Sequence, residues 1–215
     1  MLKLTRILRL PWLPLRKRVI LNAAIGLLWL GIVVAATVWM IAYANTPDKT
    51  VSPPSNWPQA SAVSRDNRFP TLLMFIHPHC PCSRASIGEL ALLIAHCQGR
   101  VNAHVFFLRP AEMDAEWALT DTWRSAAQIP RVTVHRDDAG REARLFHAET
   151  SGETELYDAK GVLVFHGGIT ISRGHSGDNP GRDVLQALLL DMPTQQTNTP
   201  VFGCSLFECT SREKR

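Results

Sequence analysis

The 215-residue chain is 46% hydrophobic and 20% charged, a globular balance that excludes wholesale disorder and a collagen-like repeat. Its five cysteines are too few for a disulfide scaffold of this length. The net charge of +4 is unevenly spread: Lys3, Arg6, Arg9, Arg16, Lys17 and Arg18 crowd the first 18 residues without an acid, which leaves 17 basic against 19 acidic groups in the rest. The basicity belongs to the tail, so a nucleic-acid partner is not expected.

After the basic tail (1–18), residues 19–44 are apolar almost throughout, with no charge between Val19 and Pro47. As a helix, this run reaches about 39 Å, more than the ~30 Å hydrocarbon core requires. Asn22 lies near one end, and Trp39 and Tyr43 sit near the other as interfacial aromatics do. The cations before the span predict a cytoplasmic N-terminus and export of everything after it, to the periplasm if the cell is bacterial. Ala42-Tyr43-Ala44 also has the small-x-small pattern of a signal cleavage site. The apolar run exceeds a signal-peptide core, so an uncleaved single-pass anchor is expected, with cleavage after Ala44 as the competing reading. Both readings place the remainder where disulfides persist.

Residues 45–68, rich in Pro, Ser and Asn, read as a flexible linker. A domain is expected over 69–192. Pro70–Ile76 has strand length and ends at His77-Pro78-His79-Cys80-Pro81-Cys82. Ser83–Cys97 carries Ile87, Leu90, Ala91 and Ile94 at helical spacing, with Gly99 as a stop. Val101–Leu108 reads as a strand, Glu112–Gln128 as a helix, Arg131–His135 as a strand and Arg141–Glu149 as a helix. Glu153–Tyr157 and Val162–His166 flank Asp158-Ala-Lys-Gly161 as a hairpin. Gly167–Gly181 is a polar loop, and a last helix starts at Pro180 behind Asp178 or Asn179 and runs to about Asp191. This β-α-β-α-β-α-β-β-α order predicts an α/β/α domain with a central mixed sheet. Residues 193–215 read as a polar tail holding Cys204 and Cys209.

Two cysteines between a strand and a helix carry the chemistry. The N–H groups and positive dipole end of a helix N-terminus stabilise a thiolate, the reactive species in disulfide exchange. Cys80, before the helix, is expected to be the more exposed attacking sulfur, and Cys82, in the first turn, the resolving one. Protonated His77 and His79 would favour the thiolate further.

From Phe69 to about Asp191 the chain resembles the thioredoxin superfamily: a hydrophobic strand, a Cys-containing turn, a helix, and a later ββα unit. Within it, Val132–Gly161 is similar to the membrane-tethered, exported branches, TlpA-like, peroxiredoxin-like or RedB-type. The resemblance implies thiol–disulfide exchange with exported thiol- or disulfide-containing proteins, with no cofactor, and gives Cys80 and Cys82 the place of the paired cysteines. Three features depart from the pattern. Pro81 alone separates the cysteines, so a Cys80–Cys82 bond would close a small, strained ring and favour disulfide donation. Gly152 stands near the position of a proline that is usually cis. His77 replaces the threonine that precedes a peroxiredoxin's reactive cysteine, which disfavours peroxidase activity.

An alternative takes His77, His79, Cys80, Cys82 and His175 as candidate Cu(I) ligands of a metallochaperone. A third reading is a non-catalytic domain whose Cys80–Cys82 pair stays oxidised. Cys97, on the apolar helix face, is expected to be a buried, inert thiol. Cys204 and Cys209 are expected to pair with each other, or Cys204 to reach back to the Cys80–Cys82 turn. His96, His104, His135, His147 and His166 share no spacing, and Arg173–Asp178 reads as a capped turn or a substrate contact.

Overall fold

The structure, a computed structural model, describes residues 14–97 and 99–207. Lys3, Arg6 and Arg9 of the basic tail and Cys209 lie outside the described residues. The chain forms two compact units that part between Tyr43 and Ala44.

The first unit is built on α1 (Leu15–Asn45), a 31-residue helix with no buried residue. It contains the whole apolar run and is long and apolar enough to cross a membrane. Trp39 and Tyr43 stack at 6.0 Å near its C-terminal end.

The second unit holds β1 (Thr71–Ile76), α2 (Ser83–His96), β2 (Asn102–Arg109), α3 (Asp121–Ala127), β3 (Val132–Asp138), α4 (Arg141–Leu145), β4 (Glu153–Tyr157), β5 (Leu163–Gly168) and α5 (Pro180–Leu189). The sheet order is β3-β2-β1-β4-β5. β1, β2 and β3 run parallel, while β4 is antiparallel to both β1 and β5. β1 is central, and all six of its residues are buried, which is why it reads as a continuous apolar run rather than an alternating one.

Each sheet face carries its own core. Leu72, Met74 and Ile76 of β1 meet Ile87, Leu90, Leu93 and Ile94 of α2, Ala126 of α3, and Val184, Leu185 and Leu189 of α5. Cys97 lies in this core at 1% exposure, so its thiol is the buried one anticipated. On the opposite face Leu73 and Phe75 meet Phe106, Ala143, Phe146 and Tyr157. The alternation of Leu72/Leu73/Met74/Phe75 between faces is the strand's period of two.

Several boundaries differ from expectation. The helix predicted over Glu112–Gln128 is only Asp121–Ala127. The Asp114 carboxylate accepts from the Glu116 and Trp117 amides and makes a separate turn, and Thr120 caps the new helix through the Trp123 amide. β3 outlasts the alternating stretch because it pairs with β2 as far as Arg109↔Asp138, where Arg109 and Arg136 both bond Asp138. α4 stops at Leu145, with His147 in left-handed geometry at φ 61°.

The stretch expected to be a flexible linker is packed on the domain. Asn56 bridges Val162, Trp57 N–H donates to Gly161 O at 2.8 Å and Leu163 N–H to Ser55 O at 2.9 Å. The Trp57 ring packs against Phe146 and Tyr157 at 5.1 and 5.2 Å. The tail likewise runs back over the domain as a strap. Asn198 bridges His166 and Ser205 bridges Thr150, while Val201 and Leu206 are each 1% exposed.

Candidate functional site

β1 ends at Ile76, and the six residues from His77 to Cys82 turn the chain into α2. Cys82 is the N-cap of α2, with no side-chain capping bond, so its thiol is free to face other groups. Two buried hydroxyls fix the turn. Ser83 Oγ donates to His77 O at 3.2 Å and lies 2.9 Å from Ser151 Oγ, which accepts from the His77 amide at 2.9 Å. Ser151 belongs to the turn before β4. The turn that carries Ser151 is thereby tied to the turn that carries the cysteines.

The same β4 turn seats the strap. Ser151 N–H donates to Cys204 O at 2.8 Å, and Leu206 N–H donates to Glu149 O at 2.8 Å. Gly203 makes this approach possible, because a Cβ there would stand 1.8 Å from Ser151 O. Arg173, its side chain only 9% exposed, bonds Gly203 O and pairs with Asp48. The result is that Cys204 Sγ lies 2.8 Å from Cys80 Sγ. Two sulfurs in a disulfide stand at about 2.05 Å, so this pair is within a small movement of a bond. Of the two expectations for Cys204, the structure realises the return to the cysteine turn; a bond to Cys209 lies outside the described residues.

Exposure runs opposite to expectation. Cys80 is 3% exposed, whereas Cys82 and Cys204 are partly exposed. The strap explains this, since it covers Cys80 from the side where sequence reasoning placed solvent. The neighbours of Cys80 nonetheless favour its ionised form. Its pKa falls to about 2, through the hydrogen bond from the Cys204 thiol and then that from Cys82, which together outweigh burial. The same bonds to Cys80 and Cys82 hold the Cys204 proton in place and push that thiol up. At Cys82 the bond with Cys204 lowers the pKa, but the bond to Cys80, burial and the Cys80 charge together raise it. The three sulfurs thus gather at the positive end of a 14-residue helix, where a thiolate is favoured.

Trp117 stands over this turn, its ring 5.4 Å from that of His77 and 4.5 Å from that of His79. His79 Nε2 lies 3.1 Å from Trp117 O. His77 is buried at 4% exposure, and its Nδ1 lies 3.3 Å from the His79 amide, which donates to it. These contacts pack both imidazoles against the turn and Trp117. His175 is exposed on its loop. Among the described residues, no group of three or more His, Cys, Asp or Glu is disposed to hold a metal ion.

The departure at Gly152 has a structural basis. Its φ of 92° lies where proline cannot go, and its N–H donates to Phe75 O at 2.7 Å, a bond that proline lacks. A Cβ there would also stand 2.9 Å from Ser86 Oγ of α2. Beside it, Glu153 Oε2 accepts from the Glu149 and Thr150 amides at 3.0 and 3.3 Å, while Oε1 is buried without a partner. Burial drives its pKa up to about 7 despite those two bonds. Glu155, also buried, is raised well above the usual range by desolvation. Its Oε2 and Pro54 O both lie 3.0 Å from the Tyr157 hydroxyl.

The remaining candidates lie apart from the turn. His104 Nδ1 and His135 Nε2 stand 2.9 Å apart across β2 and β3, and burial lowers His104 to about 4. His96 and His147 are exposed, and His166 is partly buried in β5. In the Arg173–Asp178 loop, Arg173 bonds Gly203 O beside the site. Asn179, the N-cap of α5, turns its Oδ1 to the Ile171 amide at 2.7 Å.

Sequence reasoning missed the Ser83–Ser151 lock, Trp117 and the Glu153 turn. The strap did carry a signal, since Val201, Phe202, Leu206 and Phe207 flank Cys204 within an otherwise polar tail.

No protein-family model matches the chain, and no curated protein does. Among solved structures it is similar to a hypothetical protein from Sinorhizobium meliloti 1021, with TM-score 0.54 and 21% identity over 66% of this chain and 80% of that one. An uncharacterized conserved protein from Geobacillus kaustophilus matches with TM-score 0.54 and 20% identity over 78% and 94%. A secreted Mycobacterium tuberculosis disulfide oxidoreductase, described as homologous to E. coli DsbE, matches with TM-score 0.41 and 16% identity over 58% and 82%. At these identities the likeness is one of fold. Three parallel strands, an antiparallel hairpin and a helix springing from a cysteine turn make the second unit thioredoxin-like in fold.

Proposed function

We propose that the chain is a membrane-anchored thiol–disulfide oxidoreductase that acts on exported proteins, of the TlpA-like or RedB-type branch. The observation that carries this reading is the pair of sulfurs, Cys80 and Cys204, 2.8 Å apart at the N-terminus of α2, where the Cys80 pKa is lowered. In the proposed topology the residues before α1 stay in the cytoplasm and the domain is exported, which supplies the oxidising surroundings that exchange needs. Cys80 is the sulfur on which exchange turns, and Cys82 at the rim stabilises its charge.

The direction follows from the same charge. Disulfide bonds yield most readily when the departing thiolate is stable, and a stabilised reduced form makes a dithiol/disulfide pair more oxidising. The chain therefore donates its disulfide to reduced partners. The test is to mix the oxidised full chain in detergent with a reduced dithiol peptide and follow both thiol populations. The expected result is a peptide disulfide formed as protein thiols appear, lost in Cys80→Ser. A peptide that stays reduced, or a Cys80→Ser variant as active as the wild type, overturns the reading.

A further inference from the structure

The exchange reading leaves open which sulfur shares the working bond with Cys80. Cys82 is its neighbour in sequence, but a bond across one residue closes a small, strained ring. Cys204 lies 124 residues away in sequence yet stands 2.8 Å from it, sulfur to sulfur. Its position is imposed by several independent contacts: the Ser151 amide to Cys204 O, the Leu206 amide to Glu149 O, the Ser205–Thr150 bridge, the Arg173 bond to Gly203 O and the close passage of Gly203 over Ser151. A tail with no task at the turn needs none of them. A bond there would also close a long loop, which restricts the unfolded chain more than a short one does.

Resting on the exchange reading, we propose that Cys204 is the disulfide partner of Cys80 and the sulfur at which a reduced partner enters. Cys204 is partly exposed while Cys80 is buried, so an incoming thiolate meets Cys204 Sγ. Attack forms a mixed disulfide between the partner and Cys204, breaks the Cys204–Cys80 bond, and sends its electron pair to Cys80 Sγ. Cys80 leaves as a thiolate at the N-terminus of α2, beside the Cys82 thiol. The partner's second thiolate then attacks the partner sulfur of the mixed disulfide, forming the partner's own disulfide and releasing Cys204, which takes up a proton. Two electrons pass from a partner dithiol to the chain. The partner class is an exported protein with two neighbouring thiols. Burial of Cys80 is thereby reconciled with its role, because a leaving group has no need to reach solvent.

The test is disulfide mapping on the full chain in detergent. Wild type, Cys82→Ser and Cys204→Ser, each also with Cys209→Ser, are oxidised with glutathione disulfide, alkylated, digested and sequenced by mass spectrometry. The expected result is a Cys80–Cys204 link in wild type and in Cys82→Ser, Cys82 alkylated in wild type, and the link unchanged by Cys209→Ser. Cys204→Ser is expected to lose both the link and oxidation of the dithiol peptide. A Cys80–Cys82 bond with Cys204 alkylated, or a Cys204–Cys209 bond, overturns the pairing. If the peptide is oxidised through a Cys80–Cys82 bond, this inference fails and the exchange reading stands. If the Cys80–Cys204 bond forms but the peptide stays reduced, it is the exchange reading that fails.

Discussion

Glu153→Gln tests whether the turn that seats the strap is held by a buried carboxyl group. Glu153 is fully buried, one oxygen bonded by two amides and the other without a partner. Its pKa rises from the ordinary 4.5 to about 7, chiefly through desolvation. A carboxyl whose folded pKa is raised favours the native state when protonated. That stability is complete below about pH 4.5 and disappears as pH rises through about 7. The difference corresponds to about 3 kcal/mol at full ionisation. Glutamine keeps the accepting oxygen and cannot ionise. Thermal unfolding of the full chain, followed by tryptophan fluorescence, is therefore expected to show Glu153→Gln gaining on wild type as pH rises from 4.5 to 8. At the usual sensitivity of a domain this size, the relative gain in Tm is about 6–12 °C. A pH-independent difference between the two proteins would refute the reasoning.

Other perturbations address the sulfurs and their supports. Cys82→Ala removes a donor to Cys80 and is expected to move the pH profile of Cys80 alkylation to higher pH, whereas Cys82→Ser, which keeps a hydroxyl donor, moves it less; equal profiles would contradict a role for that donor. Gly203→Ala places a methyl against Ser151 O and is expected to cost about 1–3 kcal/mol, with faster alkylation of Cys80 as the strap lifts. Gly152→Pro, which forfeits the bond to Phe75 O and cannot adopt the observed φ, is expected to destabilise the domain by about 3 kcal/mol or more in a denaturant titration.

Local signals made most of the architecture readable in advance. β1 and α2 were legible because an unbroken apolar run and an i, i+3, i+4 pattern are each set by burial on one side of the cysteine turn. Helix α3 is shorter than its hydrophobic period suggests because Asp114 and Thr120 act through side-chain hydrogen bonds that the period does not register. The segment around Trp57 looked solvated because Pro and Ser dominate it, yet one indole and a few backbone bonds suffice to fix it. The site was half visible. Cys80, Cys82 and the helix behind them are adjacent in the chain, but the exposure of Cys80 depends on a strap more than a hundred residues away. The Ser83–Ser151 lock and the Arg173–Gly203 contact are likewise long-range, and no spacing rule connects them.

The reduction potential of the full chain, measured by equilibration with glutathione in detergent, tests the central claim most directly. A stabilised Cys80 thiolate predicts a value well above the thioredoxin range of roughly −270 mV, falling when Cys82 is replaced by alanine. A value at or below that range would contradict the account.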